Sequence, residues 1–556
     1  MSSQKNFICL LILVLICSCG IQSADLIITN GKIITLNEEN PQAEAIAIKG
    51  DKILALGSSL KIDKYRTNST KVIDIEKHLV LPGFIDAHCH FAAGGNSLQT
   101  LDLRGVNSIE KIQEMVAAKI AELPQGAIIN GNNYDHTLFP GGNFPTKQDL
   151  DKVSPNNPVI IERVDGHSCW VNSLTLKQSN IIRKTKDPFG GEIVRDRKTR
   201  RPTGILKESA MNLINVHGQG ENQSQNTLED IELALKHAAK LGVTGIHTSA
   251  GLVELAMYRN LRELGKLTTR VYAWQNLNQL DTLINLGIKV GDGDSLVRVG
   301  FLKSFIDGSL GSGTALFFAP FDDNPNTSGL AQYPEEEFQA LIARAHRLGY
   351  QTGTHAIGSK GVNWVLNAHE FAQQQYEKKG LRHRIEHAQV IIEEDFIRFA
   401  DLDIIASMQP THCTTDLRFC EQRIGKERSK GAYAWRSLLD QNVHLAFGTD
   451  WPVEPLDPMR GIYSAVTRKN IEQNIPEGGW FPEQKLTVLE AIKYYTIGSA
   501  YASFEEDIKG TLEAGKLADL IVLDQDLFSI PTEEILTTRV LYTLLGGKVI
   551  FKADSL

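Results

Sequence analysis

Two histidines one residue apart, His88 and His90 in FIDAHCHF, close an apolar run, and four more ligand-type side chains end apolar runs further along. They are Lys303 in VRVGFLKSFIDG, His355 in QTGTHAIG, His387 in RHRIEHAQ and Asp450 in VHLAFGTDWP. Imidazole and carboxylate are the side chains that hold zinc and related ions. In an extended segment, residues two apart share a face, so His88 and His90 point together and Cys89 points away into the core. A bare HxH pair is weak; at the end of an apolar strand, with partners at other strand ends, it reads as a metal site. A (β/α) barrel builds its active site from the ends of several strands.

Each member also has a plainer reading. Lys303 could ion-pair with Asp307 or Asp292, or stand desolvated with a depressed pKa. A neutral lysine amine captures carbon dioxide, and the carbamate is an anionic ligand able to bridge two cations. His355 and His387, taken singly, read more readily as satisfied structural histidines. Asp450 could cap a helix, or act as both ligand and proton shuttle. His247, His412 and Trp451 stand where they could line a pocket, and Asp165, His167 and Asn172 where they could touch substrate. For these the structural and substrate-contacting readings stand level. DGSLGSGTA after Lys303 matches neither GxGxxG nor a phosphate loop ending in GK[ST], so it reads as an active-site loop. No Ser-His-Asp or Cys-His arrangement is evident.

The elements that would position these residues are legible in outline. Between the ends of the chain, strand-like runs at Leu81–Phe91, Pro158–Val164, Gly242–Thr248, Arg270–Trp274, Val297–Ile306, Tyr350–Thr354, His383–Glu386, Ile404–Gln409 and Val443–Gly448 alternate with helical patterns such as Asp230–Lys240 and Pro334–Leu348. That alternation implies a parallel sheet, and so many units suit a closed barrel. About 150 residues separate His90 from the run at Gly242, too many for one crossover helix, so a subdomain is inserted near the barrel mouth. Both ends of the chain read as strands: DLIITNGKIITL carries a hairpin signal at Asn30-Gly31, AIAIKGDKILALG at Gly50-Asp51, and VLYTLLGGKVIF at Gly546-Gly547. A lone hairpin is marginal, so the two ends are expected to share one small sheet domain. The expected division is a leader at 1–24, sandwich at 25–80, barrel at 81–505 with an insertion at about 105–240, and the rest of the sandwich at 506–556.

The 556 residues, 42% hydrophobic and 22% charged, with a net charge of −8, describe a globular chain with no general attraction to nucleic acid or anionic lipid. Lys5 and the apolar run Phe7–Ile16 read as an export signal, too short to span a bilayer. Ile16-Cys17-Ser18-Cys19-Gly20 resembles a lipoprotein box, which would anchor the chain through a lipid on Cys19; ordinary cleavage near Gly20 or Ala24 is the alternative. The expected location is therefore the periplasm or the membrane surface, or else secretion. Of the seven cysteines, Cys413 and Cys420 are the only close pair left after the leader.

In order, LVLPGFIDAHCHF, VDGHSCWVNS, PTGILKE, FLKSFIDGSLGSGTA, THAIGS, RIEHAQ, GTDWPV and GKLADLIVLD resemble the metal-dependent amidohydrolase superfamily, and within it the family 3 group. The resemblance covers nearly everything after residue 25. It implies a (β/α)8 TIM-like barrel with a composite β-sandwich from both termini, and two divalent metals, commonly zinc, with manganese as the alternative. Carried over, His88, His90 and Asp450 would hold one ion, His355 and His387 the other, and carboxylated Lys303 would bridge them. One departure is Ser359, where the family usually has Asp after HAIG. The activity implied is hydrolysis of a non-peptide C–N bond, most readily a linear amide, by a metal-bound hydroxide with Asp450 shuttling the proton. The alternatives are a cyclic amide or ester, an amino-heterocycle deaminase on the same site, or a binding protein on a barrel that has lost catalysis. A small-molecule substrate and a homodimer complete the expectation.

Overall fold

A computed structural model describes residues 22–216 and 223–554. The leader, with Cys19, falls almost wholly outside the described residues. Among them, no helix is long and apolar enough to cross a membrane.

Eight parallel strands form the central sheet in chain order: β1 (Phe84–Cys89), β2 (Val243–Ser249), β3 (Arg270–Asn276), β4 (Val297–Phe305), β5 (Thr352–Ala356), β6 (Arg384–His387), β7 (Ile405–Met408) and β8 (Leu445–Phe447). β1, β5, β6, β7 and β8 are buried along their whole length, as a strand covered on both faces must be. The circle closes just beyond β8, where Asp450 N donates to His88 O (2.7 Å) and His90 N donates to Trp451 O (2.7 Å). Gly83 is needed at the entry to β1, because a Cβ there would lie 2.2 Å from Thr244 Oγ1.

The helix Glu335–Leu348 shows how sequence sets an outer element. Glu335, Glu336 and Glu337 occupy its first turn, His346 and Arg347 its last, and Gly349 ends it at φ 82°. Acidic residues at the start and basic ones at the end complement the helix dipole, and glycine takes the left-handed stop without a Cβ penalty. Phe338, Ile342 and Ala345 on one face are buried against the barrel.

The composite sandwich has two sheets. In one, Leu26–Thr29 lies between Ala45–Lys49 and Lys71–Asp74. In the other, Leu520–Leu523 from the far end of the chain pairs antiparallel with Leu79–Pro82, in the register Leu520↔Pro82. The hairpins at Gly50-Asp51 and Gly546-Gly547 form. The one expected at Asn30-Gly31 does not: Asn30 turns with φ 57°, and Lys32–Ile34 joins Leu79–Pro82 in the second sheet. The turn chemistry was right, but the chain uses it to change sheets. Arg270 at the start of β3 docks the sandwich under the barrel, with both Nε and Nη2 donating to Asp519 at 2.6 and 2.8 Å.

Between β1 and β2 a six-stranded sheet is inserted, and Val159–Arg163 is one of its central strands. The run at Pro158–Val164 therefore belongs to the insertion, which leaves eight strands for the barrel. Cys89, Cys169, Cys413 and Cys420 are all buried free thiols, so Cys413 and Cys420 form no disulfide.

Candidate metal centre

The C-terminal ends of the strands bring the expected residues together. β1 carries His88, with His90 just beyond it; β4 carries Lys303, β5 His355 and β6 His387; Asp450 follows β8. Cross-strand register sets Lys303 opposite Gly353, two residues before His355, and His387 opposite Ala356, one residue beyond it, so these side chains are staggered by only one or two positions on neighbouring strands. His387 (φ 72°) and Asp450 (φ 59°) both occupy the left-handed region. Such backbone is costly for residues other than glycine and concentrates where a site over-determines it.

Asp450 Oδ1 lies 3.5 Å from His88 Nε2 and 3.3 Å from His90 Nε2. Its Oδ2 lies 3.9 Å from His412 Nε2. Lys303 Nζ is 3.4 Å from His88 Nε2. The rings of His355 and His387 are 4.5 Å apart, and those of His88 and His387 5.1 Å. Two triplets, His88–His90–Asp450 and His387–His412–Asp450, each place their ligand atoms within 4.8 Å of one another. The first is the set expected from sequence. The second brings in His412, and His355 belongs to neither.

Each imidazole is anchored through one nitrogen, which frees the other. His88 Nδ1 meets Glu386 Oε2 at 2.5 Å, and His90 Nδ1 faces Ser249 Oγ at 3.4 Å. His387 Nδ1 donates to Gln409 Oε1 at 2.7 Å, and His355 Nε2 donates to Gly308 O at 3.2 Å. A ligand histidine anchored in this way has its tautomer and ring plane fixed.

Electrostatics agree. Burial, reinforced by Lys303, pushes His88 down to about 4, and burial holds His355 and His387 well below the usual histidine range. Burial opposes the charge on Asp450, yet His90, His88 and His387 hold its carboxyl well below the carboxylate range. Burial lowers Lys303 to about 8, against the pull of Glu386 and Asp450. The ion pair left open for Lys303 is not made among the described residues. Asp307 instead accepts from the N–H groups of Leu316, Ile357 and Gly358, and Asp292 accepts from Lys289 N. Neutral imidazoles, one ionised carboxylate and a lysine with a lowered pKa are the donor set that a divalent cation needs, so the residues fit a metal.

A model of the amidohydrolase family matches residues 71–551. The chain belongs to the amidohydrolase family. It is 32% identical to Protein LONG AFTER FAR-RED 3 of Arabidopsis thaliana, over 95% of this chain and 92% of that protein. It is 27% identical to an N-substituted formamide deformylase of Arthrobacter pascens, over 95% and 98% of the two chains. Among solved structures, a metal-dependent hydrolase of Pyrococcus furiosus superposes with a TM-score of 0.70 at 32% identity, covering 90% of this chain and 99% of that one. As an amidohydrolase the protein is a metal-dependent hydrolase acting on carbon–nitrogen bonds.

This amidohydrolase has two chambers meeting at the centre. A large one of about 590 Å³ is lined by His88, His90, Lys303, Asn276, Met211 and Tyr333, among others. A small one of about 40 Å³ is lined by Leu310, Ile357, Phe419, His412 and Asp416, among others. Asp165, His167, His355, His387, Asp450 and Val453 line both.

The remaining residues singled out in the sequence divide. His167 faces both chambers; burial alone would lower its pKa, but Glu208 at 2.9 Å and Asp165 outweigh that and raise it to about 9. Asp165 faces both and pairs with Arg163 at 2.6 Å. His247, Trp451 and Asn172 line neither chamber. His247 is fully buried, with Nδ1 2.9 Å from Arg384 Nη1 and its ring against Tyr272. Trp451 packs on Phe91 and His237, and its contribution is the carbonyl that holds His90. Asn172 caps the helix Ser173–Gln178. Ser359 opens the helix Ser359–Gln375, and Asp307 holds the turn before it through Ile357 N and Gly358 N.

Sequence reading missed Glu386, Arg384 and Gln409. Arg384 Nη2 donates to Glu386 Oε2 (3.0 Å), Ser407 Oγ (2.7 Å) and Ala87 O (2.7 Å), tying three strands beneath the ligands. Charged residues two apart in RIEH, inside an otherwise buried strand, were the available signal.

Proposed function

We propose that this amidohydrolase cleaves a linear amide at a two-metal site. His88, His90 and Asp450 would hold one ion, His387 with His355 Nδ1 the other, and carboxylated Lys303 would join them. A divalent ion bound there supplies a Lewis acid that lowers the pKa of water and polarises a carbonyl; zinc or manganese has the required preference for these ligands. The observation that carries the reading is Asp450, whose Oδ1 faces the His88–His90 pair while Oδ2 is turned toward His412.

That division lets one carboxylate do two tasks. As the oxygen of water bonds to the carbonyl carbon, Oδ2 takes the water's proton. When the C–N bond breaks, its electron pair goes to nitrogen, which takes that proton back. The products are a carboxylic acid and an amine. Burial of His88, Lys303, His355, His387 and Asp450 strengthens each of these interactions. The near-full-length likeness to a formamide deformylase supports a linear amide over a ring or an amino-heterocycle.

The test is a panel of linear amides, cyclic amides, esters and aminopurines, assayed on protein purified without chelator. Linear amides should be turned over, chelation should abolish turnover, and added zinc or manganese should restore it. Turnover confined to esters or aminopurines, or undiminished by chelation, would overturn the reading.

A further inference from the structure

The two chambers are unequal, and Asp450 lines both. His88, His90 and Lys303 face only the large one, whereas His412, Gln389, Asp416 and Phe419 face only the small one. Asp450 shares this polarity: Oδ1 is directed to His88 and His90, and Oδ2 to His412. His412 is held parallel to His387 with ring centroids 6.0 Å apart. Its Nε2 is buried without a hydrogen-bond partner among the described residues, 3.9 Å from Asp450 Oδ2. A buried ring nitrogen left unpaired beside a carboxylate oxygen is expensive unless a ligand completes the set.

We propose that the small chamber is the leaving-group site: it seats the departing nitrogen between His412 Nε2 and Asp450 Oδ2, and it admits only ammonia or an amine of about methylamine size. The acyl part occupies the large chamber. The inference rests on the amide reading above, adds which side of the scissile bond is restricted, and sets this chain apart from the formamide deformylase, whose name puts the substituent on nitrogen and the small group on the acyl side. The substrates are then primary amides, or amides of very small amines, with a sizeable acyl group.

Three features carry the size limit and the polarity. A volume of about 40 Å³ holds roughly three water-sized groups. Its apolar wall is built from Leu310, Ile357 and Phe419, all of which are buried in the main core. Its polar wall includes Asp416, which accepts from Gln389 Nε2 (3.0 Å) and Tyr433 Oη (2.7 Å), and Glu454, which accepts from Thr415 Oγ1 (2.6 Å). Arg163 and His167 line the same chamber but are paired with Asp135, Asp165 and Glu208, so Asp416 and Glu454 are the carboxylates offered to an ammonium formed when the released amine picks up a proton. Asp135, Val164, Thr415 and Glu454 also line a neighbouring hollow of about 270 Å³.

The experiment uses two series on the metal-loaded protein. In the first, phenylacetamide is compared with its N-methyl and N-propyl derivatives; in the second, acetamide is compared with phenylacetamide. An extra methylene in a tight apolar pocket costs roughly 10–200-fold in kcat/KM. We expect N-propylphenylacetamide to fall at least ~10-fold below phenylacetamide, and phenylacetamide to be at least as good as acetamide. Phe419→Ala should raise the N-propyl to primary amide ratio by ~10-fold or more at unchanged metal content, and the milder Phe419→Leu should move it the same way. An N-propyl amide as good as the primary one, or a ratio unmoved in both variants, would overturn the inference while leaving the amide reading standing. Failure to hydrolyse any member would overturn that reading, and this inference with it.

Discussion

His88 and Glu386, 298 positions apart in the chain, meet at the barrel's centre with 2.5 Å between Nδ1 and Oε2. Burial opposes the charge on Glu386, but Arg384 and His88 hold it down to about 2, so the carboxylate stays ionised and fixes the His88 tautomer. Glu386→Gln keeps the shape and removes the charge. Loss of such a partner weakens metal binding by about 10–100-fold. Competition against a graded chelator series measures this directly, and an unchanged dissociation constant would show that Glu386 does not support the ligand.

Asp450→Asn separates holding the site together from moving the proton. The folded state should survive, because Asp450 N still donates to His88 O and that bond closes the barrel. Turnover should fall by about 10²–10⁴-fold, as expected for loss of a positioned acid–base group. The comparison is made at matched metal content by elemental analysis, and wild-type turnover at full load would remove the assigned role.

His369 gives a pH prediction away from the site. It is fully buried on the helix Ser359–Gln375, and neither ring nitrogen has a hydrogen-bond partner among the described residues. Its ring lies 4.4 Å from that of His383, whose Nε2 is 3.0 Å from His346 Nδ1. Burial first, and then His346, push its pKa down from 6.5 to about 3. The folded pKa is thus below the unfolded one, so the unfolded chain binds the extra proton. Stability from this residue is complete above about pH 6.5 and is lost as pH falls toward 3, at a slope of about 1.4 kcal/mol per pH unit. His369→Leu should be no less stable at pH 7 and should lose stability less steeply between pH 6 and 4 (roughly one proton fewer). Equilibrium urea unfolding across that range checks it, and parallel slopes for the two proteins would contradict it.

The sandwich is anchored by a buried charge pair. Arg270 and Asp519 have side chains only 4% and 7% exposed. Removing one partner of such a pair costs about 3–5 kcal/mol, because the other charge is left buried alone. Asp519→Asn should therefore lower the thermal midpoint by several degrees while leaving metal content intact. A midpoint within a degree of wild type would show that Arg270 finds another partner.

The fold and the convergence of the candidate ligand residues were largely legible because both are written in local pattern. His88 and Lys303 sit in strands long enough to show alternation, with His90 just past the end of one, and apolar runs recur at barrel spacing. The partners of the ligands were not legible. Strict alternation places Glu386 and His387 on opposite faces; both reach the centre only because His387 turns out of the strand with φ 72°. His412 became visible as a neighbour of Asp450 only once β7 and β8 were side by side. The sheet change at Asn30 was hidden for a related reason: turn residues announce a reversal of the chain, but not which strand will be the neighbour.

The central claim is that His88, His90, Lys303, His355, His387 and Asp450 converge on two cations. The most direct test is anomalous diffraction from crystals of protein never exposed to chelator, with the metal counted independently by elemental analysis. The account predicts two peaks, one beside His88, His90 and Asp450 and one beside His355 and His387, with carbamate density extending from Lys303 Nζ between them. A single peak remote from Lys303, or a bare Lys303 amine in a protein with full activity and no bound metal, would contradict it.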